Sequence, residues 1–321
     1  MSMDSLITVE NLYRYYGELC AVHDLCFEVK RGEVLGFLGP NGAGKSTTMR
    51  IIGGNLAPSA GRVLINGIDI LDRPTLAKAE LGYLPESPPL YRDLTVDEYL
   101  AYCARINCIP RAQMRAAIDS ARERCGLTEV GRRLIANLSK GFQQRVGIAQ
   151  AIIHSPSVVL LDEPTVGLDP IQIREIRSLI REVANEHSVV LSTHILPEVQ
   201  SVCDRVQIIN RGRLVLNESI KQMRDKLQAT TLLIALRNAP SMAELETVDG
   251  VASVEAVDGG RLRIAYVPDN DPSDRLVEQA VANGWGLYEL TPERMTLEQV
   301  FVDITSSDAH GDVESAGDEA A

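Results

Sequence analysis

The chain opens with two stretches in which apolar side chains recur at near-alternate positions, LITVENLYRYY and AVHDLCFEVK, with Gly17 turning between them. A period near two predicts strands. A short apolar run over residues 34–38 then enters the glycine-rich GPNGAGKST, and the spacing beyond it predicts a helix from Lys45. Over residues 94–133 the period changes. LTVDEYLAYCARIN and MRAAIDSARERCGL place apolar residues three and four apart, which predicts an inserted helical subdomain over about residues 90–155. Thr95 or Asp93 is positioned to cap its first helix. Beyond LSKGFQQR the elements alternate: a helix to Ile153, strand VVLLD, a helix after Pro170, strand VVLST, a helix from Pro197 and strand RVQIIN. Alternation of this kind predicts a largely parallel sheet covered on both faces.

The pattern shifts again after Leu227. TTLLIAL reads as a strand, MAELETV as a helix, ASVEAV and RLRIAYV as strands about Asp258-Gly259-Gly260, SDRLVEQAVANG as a helix, GLYEL as a strand and TLEQVFVDI as a last short helix. That order is close to a split βαβ plan, so a small α+β (ferredoxin-like) domain is expected over residues 228–305. Residues 306–321, SSDAHGDVESAGDEAA, are acidic and almost free of large apolar side chains, the composition of a disordered tail. The expected domain plan is therefore residues 1–227, 228–305 and 306–321.

Composition narrows the function. The formal charge is −12, which argues against a surface built to neutralise nucleic-acid phosphates. No apolar run approaches the roughly 20 residues that span a bilayer, and the opening MSMDSLITVE lacks a secretory pattern. A cytosolic chain with no membrane span of its own is expected. The six cysteines show no zinc-ligand spacing and no dense disulfide framework.

Three segments carry chemistry. Gly39, Pro40, Asn41, Gly42, Ala43, Gly44, Lys45, Ser46 and Thr47 fit the phosphate loop G-x-x-x-x-G-K-[ST] between a strand and a helix. Helix-starting N–H groups bind phosphate oxygens, Lys45 adds charge near the β and γ phosphates, and the Ser46 hydroxyl is placed to ligate Mg²⁺. VVLLDEP ends a buried strand in two carboxylates. Burial of that pair is costly unless a cation or a reacting group uses it, which makes Asp162 a Mg²⁺ holder and Glu163 the proton acceptor for an attacking water. STH follows another apolar strand, so His194 emerges on the same sheet edge as a γ-phosphate donor or, as histidines often do, as a structural residue. Tyr16 offers a flat face for adenine, and is equally readable as a surface or core tyrosine.

GPNGAGKST, LSKGFQQRVGIAQAI, VVLLDEPTVGLD and STH, in this order, closely resemble the nucleotide-binding subunit of ATP-binding cassette (ABC) transporters over residues 6–219. The resemblance implies a P-loop NTPase of the ABC ATPase type that traps two ATP molecules, each with Mg²⁺, between two subunits paired head to tail, expected to be identical. It also implies that LSKGFQQR caps the γ-phosphate held by the partner, through Ser139 and Gly141, and that Asp169 in VGLD crosses the same interface. Ser139 can equally be an ordinary helix cap. Two departures stand out. The family usually has LSGGQ, so Lys140 replaces a glycine and Phe142 a glutamine; Lys140 either adds charge near the partner's phosphate or points to water. Glu86, in GYLPE, stands where the family usually carries a metal-coupling Gln, and is a third candidate metal ligand.

The second domain and MTLEQVFVDIT resemble the accessory region of type-2 exporter ATPases, which serve drug, polysaccharide and motility-linked export. The resemblance implies an ATPase working on the inner face of the cell membrane beside a separate integral permease that alone contacts the cargo. A soluble ABC ATPase of translation or DNA repair is the rival reading. Against it stand the acidic charge, the single nucleotide site and the lack of a long coiled-coil or zinc insertion.

Overall fold

The computed structural model describes residues 5–226, 231–257, 260–267 and 270–293. The chain divides into two compact units between Ile220 and Lys221.

In the first unit, β1 (Ser5–Tyr16), β2 (Leu19–Lys30) and β3 (Val34–Leu38) are followed by α1 (Lys45–Ile52), β4 (Ala60–Ile65), β5 (Ile68–Asp69), α2 (Pro74–Ala79) and β6 (Leu81–Leu84). Three helices come next: α3 (Val96–Ile106), α4 (Met114–Arg124) and α5 (Lys140–Ile152). The alternating part comprises β7 (Val158–Asp162), α6 (Pro170–Ala184), β8 (Ser188–Thr193), α7 (Leu196–Val202), β9 (Arg205–Asn210) and β10 (Arg213–Ser219), and α8 (Ile220–Lys226) starts at the division and continues into the second unit.

The central sheet has the order β10-β9-β3-β8-β7-β6. Every pairing from β9 to β6 is parallel, and β10 adds antiparallel to β9. Strands β3, β7 and β8 are buried at every position, as expected when both faces of a parallel sheet are covered. A second, antiparallel sheet has the order β2-β1-β4-β5. One hydrophobic core joins the two sheets through α1: Leu12, Leu25 and Phe27 from the antiparallel sheet share it with Met49, Ile51 and Ile52 of α1 and with Phe37, Leu160 and Val190 of the parallel one. The Phe27 and Phe37 rings meet at 5.4 Å, tilted by 48°.

In α3 the buried Val96, Tyr99, Leu100, Cys103 and Ala104 form one stripe. Of the two cap candidates the structure selects Thr95. Its hydroxyl accepts from Glu98 N while Glu98 Oε2 accepts from Thr95 N at 2.9 Å, a reciprocal capping box.

Strands β4, β5, β6 and β10 are not foreseen from the hydrophobic pattern. β5 and β6 have two and four residues, too short to show a period. β10, at the sheet edge, has no buried residue, and its positions alternate only between exposed and half-buried.

The second unit orders β11 (Thr231–Leu236), α9 (Met242–Leu245), β12 (Val251–Val257), β13 (Arg261–Tyr266), α10 (Ser273–Ala282) and β14 (Leu287–Pro292). Its sheet runs β12-β13-β11-β14, antiparallel throughout. The core gathers Leu232, Ile234, Val254, Ile264, Leu276 and Trp285. The expected final helix and acidic tail lie outside the described residues. No helix among the described residues is long and apolar enough to cross a membrane.

Candidate functional site

Because β3, β8, β7 and β6 are successive parallel neighbours, their C-terminal ends share one sheet edge. The glycine-rich loop leaves β3, His194 follows β8, Asp162 ends β7 and Glu86 follows β6. Sheet topology alone thus brings together residues as distant in sequence as Lys45 and His194, 149 positions apart.

The loop is shaped by its glycines. Gly44, which caps α1, has φ 104° and ψ 0°, a left-handed conformation that side-chain-bearing residues rarely adopt. A Cβ there would lie 2.6 Å from the Ala21 carbonyl oxygen. The loop folds back over the Lys45 side chain, which is 5% exposed. Lys45 Nζ donates to Gly39 O at 2.9 Å and to Pro40 O at 3.2 Å, and stands 3.5 Å from Glu163 Oε1. Ser46 Oγ donates to Asp162 Oδ1 at 3.2 Å. With no acidic residue in the first turn of α1, the helix's positive end is uncompensated by its own side chains.

Asp162 and Glu163 are 2% and 7% exposed. Burial pushes the Asp162 carboxyl above the usual range; the Ser46 hydroxyl opposes that shift, and the neighbouring Glu163 and Glu86 carboxylates add to it. Glu163 has φ 49°, a left-handed conformation that costs a side-chain-bearing residue about 1–2 kcal/mol. Its amide donates to Ser192 O at 2.9 Å, and its Oε2 lies 2.9 Å from His194 Nδ1. One carboxylate therefore touches both Lys45 and His194.

A cleft of about 390 Å³ opens over these groups. Asn41, Gly42, Gly44, Lys45, Ser46 and Thr47 line it from the loop and first helical turn, and Glu86, Glu163 and His194 from the strand ends. Ala21 and Val166 also line it. Neither bears a chemical signal in sequence; Ala21 enters because β2 passes behind the loop.

Other expected site residues lie elsewhere. Tyr16, Ser139, Gly141 and Asp169 are absent from the described lining of this cleft. Tyr16 ends β1, 42% exposed, with the Arg14 guanidinium 4.7 Å from its ring centroid. Ser139 caps α5, its Oγ accepting from Phe142 N. Asp169 caps α6, its Oδ1 accepting from Ile171 N at 3.0 Å and Gln172 N at 2.9 Å. Gly141 faces the Gln172 side chain so closely that a Cβ would fall 2.8 Å from Gln172 Cδ. Lys140 is exposed. Its Nζ would lie 2.1 Å from a Cβ built on Gly167, so the ammonium reaches the turn ahead of Asp169 in its own chain.

The comparisons agree with this architecture. A family model described as ABC transporter matches residues 22–166. The uncharacterized ABC transporter ATP-binding protein YhcH of Bacillus subtilis (strain 168) is 32% identical over 94% of this chain and 97% of its own length. The daunorubicin resistance ATP-binding protein DrrA3 of Streptomyces coeruleorubidus is 30% identical over 95% and 97%. Among solved structures, cbiO1 from Clostridium perfringens, part of the ABC transporter complex cbiONQ, superposes with a TM-score of 0.64 at 31% identity, covering 70% of this chain and 92% of that one. A phosphate loop on the edge of a parallel sheet, a buried Asp-Glu pair beside it and full-length relatives of this kind together mean that the chain belongs to the ABC transporter family, as an ATP-binding subunit with the ABC ATPase fold.

Proposed function

We propose that the chain hydrolyses MgATP in the cleft at the edge of the parallel sheet, as one of two head-to-tail subunits that drive export through a separate integral membrane permease. The observation that carries this reading is the Glu163 carboxylate, buried and held 2.9 Å from His194 Nδ1 and 3.5 Å from Lys45 Nζ. A phosphate loop that only bound nucleotide would have no need of a buried base at that point.

The phosphate loop from Gly39 to Thr47 cradles the triphosphate, with Lys45 neutralising charge near the β and γ phosphates. Glu163 accepts the proton of the attacking water, and His194 donates to the γ-phosphate. Ser46 and Asp162, with Glu86 across the cleft, offer the hydroxyl and carboxylate oxygens that suit Mg²⁺, and a cation would relieve the burial that pushes the Asp162 carboxyl up. Mg²⁺, when bound, neutralises charge on the transferred phosphoryl group. Ser139 and Gly141 cap the partner's nucleotide at the start of α5, Asp169 lies at that interface, and Tyr16 stacks on adenine. The location of Ser139 and Gly141 outside the cleft of their own chain supports a composite site.

Export is favoured by the relative named for daunorubicin resistance, and work beside a permease by the neighbour that is part of an ABC transporter complex. The subunit then sits on the inner face of the cell membrane. The reading as a soluble factor of translation or DNA repair is not favoured, since relatives matching almost the whole chain are named as transporter ATP-binding proteins or for drug resistance. The strand order β12-β13-β11-β14, with α9 and α10 in the connections, supports a ferredoxin-like accessory domain over residues 228–305, apart from an ATPase domain over residues 1–227 and an acidic tail over residues 306–321.

Glu163→Gln tests this scheme. Phosphate release should fall by at least about 100-fold, while ATP at saturation shifts the variant to a dimer in size-exclusion chromatography. A monomeric variant with wild-type turnover overturns it.

A further inference from the structure

Glu198, on α7, is 1% exposed and lies behind the cleft, outside its lining. Its two oxygens have different partners. Oε1 accepts from Thr165 Oγ1 at 2.5 Å, and Oε2 accepts from Thr193 Oγ1 at 2.7 Å. Arg177 of α6 brings Nη2 to 3.7 Å from Oε1. Both threonines are buried, so these contacts are shielded from water.

The two threonines belong to the two segments that carry the site. Thr165 stands two residues after Glu163, and Thr193 immediately precedes His194. Thr193 Oγ1 also accepts from Ile195 N at 3.0 Å, so the same hydroxyl closes the turn in which His194 sits. From the other side, Glu163 N donates to Ser192 O at 2.9 Å. The Glu163–His194 contact is thus framed by a backbone hydrogen bond on the strand ends and by one carboxylate that spans both segments.

Helix packing does not explain that carboxylate. Val199 and Val202 already bury α7, and an apolar side chain at residue 198 would add to that face without the desolvation penalty of an acid. What an apolar group cannot do is accept two hydrogen bonds from two chain segments at once. We propose that Glu198 is a positioning residue, which clamps the Glu163 segment to the His194 segment and keeps the base and the γ-phosphate donor in register through turnover. Arg177 extends the clamp to α6, the helix that Asp169 caps, so motion of that helix reaches His194 through one buried group. The proposal rests on the catalytic reading of Glu163 and His194 given above.

The test uses the full chain with MgATP, steady-state phosphate release and a melting curve for every variant. Glu198→Gln keeps the shape but cannot accept from both hydroxyls; Thr165→Val and Thr193→Val each delete one donor; Thr165→Ser and Thr193→Ser restore it. A misplaced base of this kind costs up to about 100-fold. Glu198→Gln and the two valine variants should therefore lose about 10- to 100-fold in kcat with KM for ATP within about twofold, and the serine variants should regain wild-type kcat. In a His194→Ala background Glu198→Gln should lower kcat no further. If Glu198→Gln does not fold, the threonine pairs decide alone. Wild-type kcat in the valine variants, or losses shared equally by valine and serine, overturns the clamp. An inactive Glu163→Gln alongside that result leaves the hydrolytic reading standing, whereas an active Glu163→Gln removes the reading itself.

Discussion

His194 Nδ1 lies 2.9 Å from Glu163 Oε2, with the carboxylate 7% exposed and the imidazole 41% exposed. The buried partner is held by its surroundings, and the exposed one faces the cleft. His194→Ala removes the contact to Glu163, the proposed base, without touching the phosphate loop. The expected result is a fall in kcat of about 100-fold, with KM for ATP changed only a few-fold, read by phosphate release across an ATP titration. Retained kcat with a large rise in KM would instead assign His194 to nucleotide binding.

Gly44→Ala should abolish ATP binding and lower stability. At φ 104° the new residue is strained by about 1–3 kcal/mol, and its Cβ would meet the Ala21 backbone oxygen at 2.6 Å, which cannot swing aside as a side chain could. Gly32→Ala is the control. Its φ of 72° is also left-handed, but nothing lies within 4 Å of a Cβ there, so a loss near 1 kcal/mol and unchanged ATP binding are expected. Thermal unfolding and a fluorescent ATP analogue separate the two effects.

How much of this site was legible depended on where its information lies. Lys45, Ser46, Asp162, Glu163 and His194 sit on short local patterns that end buried strands, and parallel pairing then collects them. Ala21, Glu198 and the direction of Lys140 were not legible, because each is set by packing between segments distant in sequence. An alanine carries no chemical mark, and a glutamate one turn into a short helix reads as a surface acid. The same holds for the fold. The parallel core announced itself through alternating helices and strands, while β4 has meaning only once β1 offers it an edge, and β5 only once β4 does.

His187 and His154 make stability depend on pH. His187 Nδ1 lies 2.6 Å from Pro156 O, and His154 Nε2 lies 3.0 Å from Leu81 O. The second nitrogen of each ring is buried without a hydrogen-bond partner among the described residues. A second proton has no acceptor there, and burial holds both pKa values below the usual 6.5. In the window below about pH 6.5 the unfolded chain binds more protons than the folded one, so stability rises with pH. It is complete above that pH and is lost as pH falls toward the lowered folded values. Asp162 acts with the opposite sign, because its raised pKa favours the folded state until pH climbs through the folded value. The urea midpoint should therefore fall between about pH 7.5 and 5.5, and His187→Gln, which leaves Asp162 in place, should flatten that slope.

Gly141→Ala separates two obstacles. Within the chain, a Cβ would fall 2.8 Å from Gln172 Cδ and 2.9 Å from its Oε1, a clash with a side chain that can move. Between subunits, the composite-site reading places the Gly141 backbone against the partner's nucleotide. Gln172→Ala removes the first obstacle and leaves the second. If only the internal contact matters, Gly141→Ala/Gln172→Ala recovers both melting temperature and ATP-driven dimerisation. The expected outcome is a split: the double variant regains the stability that Gly141→Ala loses, while analytical ultracentrifugation with saturating ATP still finds it monomeric. Recovery of the dimer would show that nothing beyond Gln172 needs the bare backbone at residue 141, and would remove the N-terminus of α5 from the shared nucleotide site.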